Sequence, residues 1–286
     1  MVLLLVVVLL LVVALFLLGA NVAGRGSSGE GDRTPSANSG IHAAQTAQQP
    51  GVPVQERSLS DQLRAMAETD SRFAAITESA DEYPQELLEL ALKNPDAVDF
   101  AAGYLEHRSD AVDSAGIDLE ETLVPGVPPL LMQWDSRWGY GNYGSGLMGL
   151  TGCGPTCLSM VIIGLTGDTE ANPLAVAQYS DAQGWYFPEY GSDWELMRSG
   201  AEHYGLRWQE LPLDENAMRR ALENGQIIIA SMAEGDFTDT GHFIVLSGYD
   251  SGTFRVLDPN SYSRSARTWS FETLHDQING LWSYWI

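Results

Sequence analysis

The stretch Gly152-Cys153-Gly154-Pro155-Thr156-Cys157-Leu158-Ser159-Met160 has the residue types and spacing of a thiol nucleophile. Pro155 suits the first turn of a helix, where its missing N–H would have no partner. Cys153 then falls at or just before the helix N-terminus, where free backbone N–H groups and the positive dipole end stabilise a thiolate. Glycines on both sides let a substrate backbone approach closely. Cys157 lies one turn further in and is expected to pack rather than react. The bland reading of a lone cysteine is a small buried hydrophobe. A structural zinc site is excluded because the chain holds two cysteines in all. A Cys153–Cys157 disulfide is disfavoured because helical spacing points the two side chains poorly. No metal or cofactor is expected.

A nucleophilic thiol needs a base, and the chain has five histidines. His42 lies in a polar tether, His107 in an acidic stretch, His203 in a helical pattern and His275 in a polar segment. His242 differs, because Gly241-His242-Phe243-Ile244-Val245-Leu246 places it at the opening of an apolar strand. Val256-Leu257-Asp258-Pro259-Asn260 puts a carboxylate at the end of the next strand pattern. The turn signal Asp250-Ser251-Gly252 joins the two as an antiparallel hairpin, so His242 and Asp258 are expected at the same end. Asp258 could then fix the imidazole tautomer while the other ring nitrogen faces the thiol. Asp-Pro is also an ordinary turn former, and a strand-end histidine need not be catalytic.

The elements that must hold these residues are legible in outline. Helical patterns run over 153–166, 172–183, 193–205 and 214–224, the last capped by Asp214 and stopped before Gly225. Strand patterns follow at 227–230, 242–249, 254–257, 267–271 and 281–286. Helices first and neighbouring strands later predict an α+β domain over 126–286 with a mostly antiparallel sheet. All eight tryptophans and both cysteines fall in that region.

Over 128–260 the chain resembles the papain-like cysteine peptidases of the C39 family, the bacteriocin-processing or double-glycine leader peptidases. The likeness is to their standalone, secreted or membrane-anchored members in Gram-positive bacteria. The matching pieces are Gln133-Trp134-Asp135-Ser136-Arg137-Trp138, Gly152-Cys153-Gly154-Pro155-Thr156, Gly241-His242-Phe243 and Asp258-Pro259. The resemblance implies a papain-like fold, with N-terminal helices packed on the sheet. It also implies roles: Cys153 as nucleophile, His242 as base, Asp258 as its orienter and Gln133 as oxyanion donor. Asn260 is an alternative orienter, since papain relatives use Asn there. Gln133 stands twenty residues before Cys153, so the Gly-rich loop at 139–146 must fold back for it to reach the site.

The remaining chain reads on composition. Residues 1–20 open with eighteen uncharged apolar residues, a run of about 27 Å as a helix, close to a bilayer core of ~30 Å. They are expected to be a transmembrane anchor or a signal sequence, placing the rest at the cell membrane on its outer side or secreted. Residues 21–58, rich in Gly, Ser, Pro and Gln, read as a flexible linker. Residues 59–125 read as a spacer of short helices carrying sixteen acids against four bases. The whole chain carries a net charge of −23, which repels phosphate backbones and argues against nucleic-acid partners. The expected partner is a peptide or protein substrate, and the expected activity is thiol-dependent peptide hydrolysis. A non-catalytic surface-tethered peptide-binding module and an acyl transferase using the same triad are the alternatives. Trp185, Tyr186, Tyr190 and Trp194 could line subsites or simply fill a core.

Overall fold

The computed structural model describes residues 57–286. The expected anchor over 1–20 and nearly all of the linker over 21–58 lie outside the described residues. Among the described residues, no helix is long and apolar enough to cross a membrane.

The described residues begin with short helices, α1 (Leu59–Ala67), α2 (Arg72–Glu78), α3 (Gln85–Lys93), α4 (Val98–Ala102) and α5 (Tyr104–His107). Ser58 caps α1 by accepting from the Asp61 N–H, and Pro84 and Asn94-Pro95 punctuate the segment where a proline cannot continue a helix. Their apolar faces meet in a core of Leu63, Phe73, Ile76, Leu87 and Phe100. That core is not theirs alone. Met132, Trp134 and Tyr140 are part of it, with Phe100 stacked on Tyr140 at 4.6 Å and the Tyr140 hydroxyl donating to the Phe100 carbonyl. The acidic segment read as a spacer is therefore packed against the chain that carries Gln133.

Next come a two-strand ribbon, β1 (Asn142–Tyr143) with β2 (Gly146–Leu147), and the short helix α6 (Met148–Thr151). The central helix α7 (Cys153–Thr166) follows, apolar on every side and ended by Gly167 in the left-handed region (φ 76°). After it come α8 (Pro173–Gln183), the hairpin β3 (Tyr186–Phe187) and β4 (Gly191–Ser192), and α9 (Ser199–His203). Strand β5 (Arg207–Glu210) and helix α10 (Glu215–Glu223) lead into β6 (Ile227–Met232), β7 (His242–Asp250) and β8 (Thr253–Leu257). The chain ends with α11 (Tyr262–Ser265), β9 (Thr268–Ser270), α12 (Phe271–His275) and β10 (Ile278–Trp285).

Six of these strands make one antiparallel sheet in the order β5-β10-β6-β7-β8-β9. Both faces are covered, which explains the near-continuous apolar runs in β6 and β7. Ile227, Ile229, Val245, Trp282 and Tyr284 pack with Leu158, Val161 and Ile162 of α7. The alternate residues Ile228, Ala230, Ile244 and Leu246 pack with Met218 of α10 and Leu274 of α12. Gly164 of α7 lies against Pro128, where an added Cβ would come within 2.7 Å of the Pro128 Cα. The expected α+β class with an antiparallel sheet is the observed one.

Phe100 joins the helical segment to the site-bearing chain, with Gly139 and Gly149 packed directly on its ring. Phe100→Ala is expected to lower unfolding stability by about 3–5 kcal/mol, read by denaturant titration of the full chain.

Candidate active site

Cys153 is the first residue of α7, after the bend at Gly152, and is partly exposed. Cys157, one turn on, is fully buried among apolar side chains, and burial pushes its thiol well above the ordinary range. Both cysteines are free. A buried protonated thiol is inert, so the two chemically identical side chains are separated by one helical turn of environment.

His242 opens β7 and is 7% exposed. Its Nε2 lies 2.8 Å from Asp258 Oδ1. With Nε2 engaged there, the ring's other nitrogen is left for the Cys153 thiol, which lines the same cleft. Burial alone would disfavour the imidazolium, but the Asp258 carboxylate and the Cys153 sulfur outweigh it and raise His242 above its ordinary value. His242 is thus held protonated beside the sulfur.

The placement of Asp258 depends on an irregularity in the hairpin. Ser251 (φ 51°) and Gly252 (φ 85°) make the tight turn, and Asp250 pairs with Thr253. A register shift between Leu246 and Gly248 then lets Val245 pair with Leu257. Continuing that register sets Asp258 opposite Ile244, on the same face as His242 and diagonal to it. Without the extra residue at Ser247, Asp258 would fall opposite Val245 and face the other side of the sheet.

Asp258 has no exposed surface, and both its oxygens are matched. Oδ1 accepts from His242 and from the Asn260 backbone N–H at 2.8 Å; Oδ2 accepts from Arg264 Nε. Burial would push this carboxyl up, but the imidazole and the guanidinium prevail and hold it below the usual carboxylate range. The Asn260 side chain is occupied elsewhere, with its Oδ1 accepting from Asn94 Nδ2 at 3.1 Å. Of the two orienters weighed from the sequence, Asp258 is the one on His242.

Gln133 reaches the site as the loop folds back. The Gly149 N–H donates to the Gly139 carbonyl and the Met148 N–H to the Gly141 carbonyl, closing the Gly-rich stretch on itself. The Gln133 N–H donates to the Pro259 carbonyl at 2.7 Å, and its Nε2 donates to the Gly149 carbonyl at 2.9 Å. Gln133, Cys153, His242 and Arg264 line one cleft of about 620 Å³, walled by Leu90 and Lys93 of α3. Tyr186, Tyr190 and Trp194 line an adjoining depression that also reaches Cys153 and His242. Trp185 instead packs edge-on to Tyr179 beside the core.

Two participants escaped the sequence reading. Arg264 follows Asp258 by six residues in an unremarkable polar turn, and a salt bridge to a buried carboxylate leaves no local signature. Asn94 comes from the helical segment, 166 residues before Asn260 in the chain. The other described histidines stand apart: His107 stacks on Tyr140, His203 on Tyr179, and His275 pairs with Asp276. Among the described residues no His, Cys, Asp and Glu group could hold a metal ion.

Comparison with known proteins bears on the family. The model of the Peptidase C39-like family matches residues 127–284. No curated protein matches the chain. Among solved structures, a protein assigned as a C39-like peptidase from Bacillus anthracis is similar at 15% identity and a TM-score of 0.39, covering 56% of this chain and 94% of that one. The fold is α+β and papain-like, and the matched residues span every site position from Gln133 to Asp258. The chain belongs to the Peptidase C39-like family.

Proposed function

We propose that this protein is a thiol-dependent peptide hydrolase acting through Cys153, His242 and Asp258, with Gln133 as oxyanion donor. The observation that carries the reading is one partly exposed sulfur lining the same cleft as a buried imidazole whose Nε2 is held by a buried carboxylate. Cys153 Sγ, as thiolate, attacks the carbonyl carbon of a peptide bond, and the carbonyl electron pair moves to oxygen. The Gln133 amide and the Cys153 backbone N–H stabilise that oxyanion. Collapse of the intermediate expels the amine, which takes a proton from the His242 imidazolium. Water, deprotonated by His242, then attacks the thioester carbonyl and releases the acid and the sulfur. Asp258 keeps the ring oriented through both steps and balances its positive charge.

The apolar run over residues 1–18 supports an anchor or secretion signal, and hence action outside the cytoplasm. A peptide-binding module without chemistry would keep the cleft but not turn substrate over.

Hydrolysis of a mixed peptide library by the full chain, followed by mass spectrometry, tests the reading. Cys153→Ala and His242→Ala are expected to abolish cleavage, whereas Cys157→Ala retains it. Gln133→Ala should lower kcat by roughly 10²–10³ through loss of one oxyanion donor. Turnover that persists in Cys153→Ala removes the proposal.

A pH profile provides a second test. Because His242 is raised, its proton is retained at neutral pH and lost only as pH climbs through the elevated value. The alkaline limb of kcat/KM should therefore lie well above the ordinary histidine range. Asp258→Asn removes the charge that raises it, so that limb should move to lower pH.

A further inference from the structure

Cys153 and His242 stand where two depressions meet, one more polar and one richer in aromatic side chains. The side shared with Gln133 is polar, lined by Lys93, Asp96, Asp236 and Arg264. The other, of about 480 Å³, is lined by Tyr186, Tyr190 and Trp194 together with the nearly buried Met232 and Phe243. Its one charged wall residue besides His242 is Glu189. A second trough of about 520 Å³, lined by Phe187, Tyr190, Trp194 and Arg198, continues it outward.

Tyr190 is 87% exposed, Phe187 44% and Trp194 38%. Aromatic surface concentrated in water beside a nucleophile calls for an occupant that covers it. The hairpin β3–β4 that carries it is fixed rather than loose. Ser192 Oγ and the Tyr143 hydroxyl are 2.8 Å apart, the Asp193 N–H donates to the Trp185 carbonyl at 2.8 Å, and Trp194 packs edge-on to Trp282 at 5.0 Å. Gly154, the residue after Cys153, lies directly beneath it: a Cβ there would come within 2.5 Å of Ser192 Oγ. The sulfur and the aromatic wall are thus held at a fixed separation, as a preorganised subsite requires.

We propose that this hairpin and the adjoining Trp194 set the specificity of the thiol site, seating a large apolar side chain of an extended peptide against Tyr190 and Trp194. The proposal rests on the thiol-hydrolase reading and adds the substrate class. The occupant is a peptide side chain because the depression opens onto the reacting sulfur. It is apolar because aromatic side chains line the depression, and Glu189 on the same wall disfavours an acidic side chain.

The test uses the full chain and a peptide series identical except at one position beside the scissile bond, carrying Phe, Leu, Gly or Asp. The Phe and Leu peptides should exceed the Gly and Asp peptides by at least about tenfold in kcat/KM. Tyr190→Ala and Trp194→Ala should raise KM for the Phe peptide several-fold. The rate of Cys153 alkylation by iodoacetamide, too small to reach the hairpin, should stay at the wild-type value. Calorimetric binding of the same peptides to the Cys153→Ala chain reads the preference even without turnover. Equal binding across the series, a Gly preference, or a Phe preference that survives in the Tyr190→Ala/Trp194→Ala double variant overturns the proposal. So does a dimer in sedimentation that Tyr190→Ala dissolves, since a second copy would then be the occupant. Failure of the underlying reading looks different: apolar peptides bind selectively but none is cleaved.

Discussion

A carboxylate with no exposed surface is tolerable only when every oxygen is matched, and Asp258 is matched by an imidazole, a guanidinium and a backbone N–H. The imidazolium and the carboxylate stabilise each other's charged forms against the cost of burial. Arg264 shares the load from the opposite oxygen, and its own place is set by Ser261, whose Oγ accepts from the Arg264 N–H, and by the Phe237 ring beneath it. The orientation of the imidazole toward the cleft that holds Cys153 depends on this cluster.

Much of the remaining architecture serves that cluster. The shift at Ser247 turns Asp258 onto the face of His242, and the Pro259 carbonyl then takes the Gln133 N–H, bringing a third site residue to the same loop. The helical segment closes the far wall. Asn94 Nδ2 donates to the Asn260 carbonyl at 2.6 Å, the Tyr262 N–H donates to Asp96, and Lys93 pairs with Asp239 at the rim. The exposed Lys93 pair contributes little energy. The Asn94 bonds, with the shared core of Phe100, Trp134 and Tyr140, make the acidic helices part of the cleft wall.

How much of this could be read from residue types follows from which interactions are local. The start of α7 at Cys153 was legible because Gly-Cys-Gly-Pro is a helix-entry signal followed by an apolar run. The β7–β8 hairpin was legible from Asp250-Ser251-Gly252, and α10 from Asp214 and Gly225. The helix expected over 193–205 is broken, since Arg198 (φ −104°, ψ −88°) separates a 3₁₀ turn at Trp194–Met197 from α9. Its apolar rhythm carries through the break, so periodicity hides it. Strand β5 reads as polar because it is an edge strand with exposed side chains, held by pairing with β10 rather than by burial. The bulge, Arg264 and Asn94 depend on long-range register and packing, which spacing along the chain does not encode. Gln133, Cys153 and His242 nonetheless line one cleft, with Asp258 bonded to His242.

The central claim concerns one sulfur meeting one imidazole at the mouth of the cleft. A crystal structure of the full chain reacted with a peptide aldehyde tests it most directly. The account predicts a thiohemiacetal on Cys153 Sγ, with the former carbonyl oxygen in hydrogen-bond reach of Gln133 and the His242 ring still bound to Asp258. An adduct on Cys157, or an unreacted Cys153 with the imidazole turned away from it, would contradict the account.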